Sequence, residues 1–113
     1  MLIVDKELSR DELRKIAAEG FGDMVKGVVD IDECILAIDA DLHADLEALL
    51  LEHGSKQSAL WGINLYPDIE DEDFLEYDSL INIRPNQGNR SRGVDDEATR
   101  QLVAGVVYRW VKL

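Results

Sequence analysis

Leu2-Ile3-Val4 opens the chain as a short apolar run that reads as a strand, after which the hydrophobic period changes. Ser9-Arg10-Asp11-Glu12 has the S-x-x-E form of a capping box. In that motif the Ser9 hydroxyl accepts from the Glu12 amide and the Glu12 carboxylate accepts from the Ser9 amide. Leu8 and Leu13 sit where a hydrophobic staple closes over the turn. Leu13, Ile16 and Ala17 continue at helical spacing, and Gly20 offers the left-handed stop. Val25, Val28, Val29 and Ile31, then Ile35, Leu36 and Ile38, are strand formers separated by Asp32-Glu33. They predict a hairpin of strands 24–31 and 34–39.

The stretch DLHADLEALLLEHGS, residues 41–55, supports two readings. Its Ala, Leu and Glu content favours a helix over 41–53, starting at Asp41 and ended by Gly54. His53-Gly54 between ALLLE and SALWGINLY suits the turn of a hairpin as well. Ala59 to Tyr66 reads as a strand stopped by Pro67, 68–73 as an exposed acidic loop, and 74–84 as a strand closed by Pro85. The glycines and asparagines of 85–94 make that segment a loop. Asp95 is placed to cap a C-terminal helix whose Ala98, Leu102, Val106 and Trp110 recur every four residues, widened by Val103 and Val107. Strands bracketed by helices, without strict alternation, predict an α+β fold. It has a mainly antiparallel sheet, an N-terminal and a C-terminal helix and, on the helical reading, a third near 41–53.

With 113 residues, 46% apolar and 32% charged, the composition is that of one globular domain spanning 1–113. No apolar run approaches the roughly 20 residues of a spanning helix, and MLIVDKELSRDE turns acidic too soon for a signal peptide. Cys34 is the only cysteine, which permits no internal disulfide and fits a reducing cytoplasm. Acids outnumber bases 24 to 12, for a net charge of −12, which argues against a coat for nucleic acid or an anionic membrane.

The charge is uneven. No Lys or Arg lies between Lys26 and Lys56 or between Lys56 and Arg84, whereas RPNQGNRSR, residues 84–92, carries Arg84, Arg90 and Arg92 and no acid. Gly88 and Gly93 let backbone amides approach a ligand, and the guanidiniums suit a carboxylate or phosphate. Asn86, Gln87, Asn89 and Ser91 add neutral donors, and Lys56 and Gln57 join them if the 54–58 turn lies beside the loop. The loop runs into a helix start that favours anions, although Asp95 and Asp96 already occupy it. Neither a P-loop nor a dinucleotide fingerprint occurs. The competing explanation is a polar loop that satisfies its own backbone and neutralises nearby carboxylates.

His43, Asp45 and Glu47 form a second candidate. On a helix His43 and Glu47 share a face, on a strand all three do, and imidazole with carboxylates suits zinc or a similar divalent metal. A solvated acidic face with a stray histidine is the commoner origin of such a pattern. Ser55, Ser58, Ser79, Ser91 and Cys34 are available nucleophiles, but no G-x-S-x-G elbow exists. Cys34 lies in an apolar run, where a cysteine behaves as a small buried hydrophobe. Trp61, Trp110 and Tyr66 read as core or interface.

The segments GSKQSALWGINLYP (54–67) and INIRPNQGNRSRGV (81–94), with the MLIVDK start and the GDMVKGVVDI stretch, resemble a family of short bacterial and archaeal proteins known as a domain of unknown function. The resemblance runs the whole length and implies a compact stand-alone domain of prokaryotic type. It implies no activity and carries over no catalytic residue.

Three functions follow. The preferred one is a binding module for an anionic small molecule or protein partner through loop 84–93. The second is a metal-assisted hydrolase, acting on phosphoesters, with His43, Asp45 and Glu47 as ligands or acid/base groups. The third is a structural homo-oligomer pairing through an apolar patch or strand edge.

Overall fold

The computed structural model describes residues 1–113. The chain starts with β1 (Leu2–Ile3) and β2 (Leu8–Ser9). Both bonds of the capping box form, at 3.1 and 3.3 Å, and launch α1 (Arg10–Glu19). Gly20 caps α1 at φ −115°, so the expected left-handed stop falls instead on Gly22, at φ 97°. The Gly22 amide reaches back to the Ala17 carbonyl at 2.6 Å, which places the reversal two residues later.

The β-branched runs form the hairpin β3 (Val25–Asp30) and β4 (Ile35–Ile38). Cys34 ends its turn at φ 56° and is exposed, not buried as its apolar neighbours suggested. The reason is the turn itself, which needs a left-handed residue where the chain re-enters the ladder. The 41–53 stretch is helical, α2 (His43–Glu52), and Gly54 at φ 107° closes it while the Ser55 amide bonds the Leu50 carbonyl. β5 (Leu60–Leu65) follows, buried along its whole length.

The expected strand 74–84 contains only β6 (Leu75–Glu76). Beyond it the chain folds over the sheet as a short turn at Leu80–Asn82, which lets Ile81 pack against the cluster beneath α2. That burial displaces a longer ladder. α3 (Glu97–Trp110) is capped by Asp96, whose carboxylate accepts from the Thr99 amide at 2.9 Å, because Asp95 is held by the preceding loop. The buried face of α3 is Val103, Val106 and Val107, while Ala98 and Leu102 lie exposed. A row of residues spaced strictly by four drifts around a 3.6-residue helix and leaves the buried face. β7 (Val111–Lys112) pairs in parallel with β2 and ties the two chain ends together.

The main sheet runs β1-β4-β3-β5-β6, antiparallel throughout. Alternation along β5 assigns its two faces. Trp61, Ile63 and Leu65 join Leu13, Ala17, Val103 and Val107 in the larger core under α1 and α3. Leu60 joins Val28, Ala37, Leu46 and Leu50 in the smaller core under α2. The result is the α+β architecture with helices on both faces, and no helix is long and apolar enough to cross a membrane.

Candidate functional site

With β6 only two residues long, the first half of β5 has no neighbouring strand on its outer edge. Side chains close that edge instead. The Asn82 amide acts as a surrogate peptide group: its Oδ1 accepts from the Gly62 amide at 2.8 Å and its Nδ2 donates to the Gly62 carbonyl at 3.0 Å. Arg84 continues the row, donating to the carbonyls of Leu60 and, at 2.6 Å, Gln57. An edge covered in this way offers no template to another chain.

Loop 84–93 is built on this seam. Asn89 is buried, and its amide donates to the carbonyls of Asn82, Ser91 and Gly93 while accepting from the Asp95 amide. Gly88, at φ 84°, supplies the left-handed residue that lets Arg84 and Asn89 pair across the turn. Gln87 donates to the Ser58 carbonyl at 2.8 Å. The bonds from Arg84 and Gln87 therefore clamp the turn carrying Lys56 against the loop, a proximity that spacing alone left open.

The three arginines have different surroundings. Arg84 is half-buried and lies over the Trp61 ring at 4.2 Å from its centroid. Burial lowers its pKa from the usual arginine value, and the charge of Glu47 opposes that shift. Arg92 pairs with Asp78 at 2.6 Å. Arg90 is exposed and makes no ion pair; only its backbone amide is engaged, by Asp95. Lys56 and Asn86 are likewise exposed, with no side-chain hydrogen bond. The Asp95 carboxylate is held below its ordinary pKa by the Ser91 hydroxyl and the Arg90 amide.

The histidine candidate is arranged differently. His43 turns inward and donates from Nε2 to the Ile63 carbonyl at 2.9 Å, Asp45 faces solvent, and the charge of Glu47 acts on Arg84. These three side chains do not converge, and no group of three or more His, Cys, Asp or Glu is placed to hold a metal ion. Nor does any serine or cysteine bond a histidine: Ser55 donates to Asp30 at 2.6 Å and Ser91 donates to Asp95.

Burial lowers the pKa of His43 by disfavouring the imidazolium, the largest of its influences. The unfolded chain therefore takes up a proton before the folded one does. Stability is fully present above the unfolded value of 6.5 and declines as pH falls from there to the folded value. The slope is up to about 1.4 kcal/mol per pH unit for one proton. Urea denaturation at pH 7.5 and 5.0 measures it, and a His43→Gln variant should have a smaller loss over the same interval.

A groove unnoticed in the sequence runs between β6 and α3. Its first cleft is lined by Tyr66, Glu76, Tyr77, Val94, Asp95 and Arg100 among others. Tyr66 donates to Glu76 at 2.9 Å, as does Asn64, and burial with that carboxylate pushes the Tyr66 phenol up to about 12. The only sequence signal for it was the acidic run 68–73 beside two tyrosines.

An α+β domain whose sheet edge is sealed by asparagine and arginine side chains is thus the class this chain belongs to. Residues 2–110 match the family described as "Protein of unknown function (DUF5674)", and the chain belongs to that family. No curated protein and no solved structure matches it.

Proposed function

We propose that the protein is a single-domain binding module of the cytoplasm that holds an anionic group through loop 84–93 and the adjoining Lys56 turn. The clamp made by Arg84 on Gln57 and Gln87 on Ser58 carries this reading, because it gathers a lysine and the arginine loop on a chain of net charge −12. Arg90 and Lys56 supply unpaired charges, and Asn86 and Gln87 add neutral donors at the turn. Arg84 and Asn89 hold the loop's shape. Arg92 exchanges Asp78 for the ligand, which makes its contribution smaller than that of Arg90. The arginine fork favours a phosphate or carboxylate carried by a small molecule or protein partner.

Titration of the labelled protein with pyrophosphate and with citrate, followed by amide NMR, tests this. Saturable shifts are expected at 56–58 and 84–93. Arg90→Ala and Lys56→Ala should each weaken binding about tenfold while leaving the melting temperature unchanged. No saturable shift with either anion overturns the reading.

A further inference from the structure

We propose that the groove between β6 and α3 docks a segment of a protein partner that carries arginine or lysine side chains. Two clefts of about 580 Å³ each lie side by side there, and Asp73, Leu75, Tyr77 and Arg100 line both. That volume is in the range of ligand-binding sites. Val94, Leu75, Tyr77 and Tyr108 give the clefts apolar and aromatic surface within a lining that is mostly polar. The rim is acidic on both sides: Glu76 and Asp95 border the first cleft, Glu72 and Glu97 the second, and Asp73 stands between.

A second observation bears on the occupant. Arg100 is the one cation in the groove, and it forms no ion pair with any of those carboxylates. Its guanidinium lies instead over Tyr77, 4.5 Å from the ring centroid, while the Tyr77 hydroxyl donates to the Arg100 carbonyl at 3.3 Å. The groove thus already displays the chemistry it favours, a guanidinium on a tyrosine face within an acidic rim. An anionic partner would meet five carboxylates. Glu76 and Asp95 are already held by Tyr66 and Ser91, but an apolar helix would bury Glu72, Asp73 and Glu97 with no partner. A basic segment neutralises them, placing one cationic side chain in each cleft astride Tyr77. This docking is distinguished from anion binding by the opposite charge of its probe, and the two sites adjoin where Ser91 and Gly93 of the loop line the first cleft.

The experiment is an amide NMR titration of the intact protein with a capped pentapeptide, Gly-Arg-Gly-Arg-Gly, its citrulline counterpart, and spermidine. Saturable shifts confined to 66–77 and 91–108 are expected with the arginine peptide. Asp73→Asn and Glu97→Gln, both on the exposed rim, should each weaken it about fivefold. Arg100→Gln should tighten it about threefold by vacating the Tyr77 face and removing a like charge from the groove. Equal binding of the citrulline peptide, or tighter binding of spermidine, would overturn the proposal. So would unsaturable shifts spread over the whole acidic surface, or rim variants that bind like wild type.

Discussion

Replacing Asn82 by leucine should destabilise the protein by about 3–4 kcal/mol, although the two side chains are close in volume. Asn82 is fully buried, and its amide is the only partner of the outward-facing Gly62 amide and carbonyl, besides giving a second bond to the Arg92 carbonyl. Leucine keeps the packing and removes all three bonds. Two backbone groups of a central strand are then buried without a partner, at about 1–3 kcal/mol each. For a chain of this size the melting temperature should drop by about 10–20 °C. Asn82→Asp is the sharper control. It retains the acceptor for the Gly62 amide but sets a carboxylate against the carbonyls of Gly62 and Arg92, so at neutral pH it should cost at least as much. Its penalty should shrink as pH falls and the carboxyl regains a donor. Denaturant titration of the three proteins measures both effects, and a loss below 1 kcal/mol for Asn82→Leu would show that the edge does not depend on this amide.

That edge also explains where sequence reading succeeded and where it failed. The capping box at Ser9, the β3–β4 hairpin and the C-terminal helix rest on local chemistry, and local chemistry is written in short windows. The 74–84 run is apolar enough for a strand, but Ile81 finds burial beneath α2, and that contact comes from residues about 30 positions earlier. Asn82 was legible only as an oddity, a poor strand former in an apolar run. Its partner Gly62 is 20 residues away, so no window unites them. The arginines of RPNQGNRSR looked alike in sequence. Tertiary contacts made one a half-buried edge cap, one an ion-pair partner of Asp78 and one a free surface charge. The groove was invisible for the same reason, because β6 and α3 meet only in the folded chain.

Gly62→Ala should be nearly as damaging as Asn82→Leu, and through the same seam. A Cβ at Gly62 would lie 2.5 Å from Ser79 Cβ, 2.6 Å from Ser79 Oγ and 3.2 Å from an Ile81 side-chain carbon. Ser79 Cβ is fixed to its backbone, so no rotamer relieves the contact and the 79–84 segment must back away from β5. Retreat breaks the Asn82 bonds to Gly62 and draws Arg84 off Leu60 and Gln57, which releases the clamp on the Lys56 turn. We expect a loss of about 3 kcal/mol, with altered amide shifts through 79–93 and a weakened response to pyrophosphate. Gly27→Ala is the control on the opposite face of the sheet. Its nearest neighbour is Ile63 Cδ1 at 2.8 Å, the mobile end of a side chain, so a rotamer change absorbs most of the strain and the loss should be about 1–2 kcal/mol. The double variant Gly62→Ala/Asn82→Leu decides whether one seam underlies both results. Two substitutions acting on the same bonds should cost about 2 kcal/mol less together than the sum of their separate losses. Simple additivity would mean that the crowding at Ser79 and the amide bridge at Asn82 are independent supports of the loop.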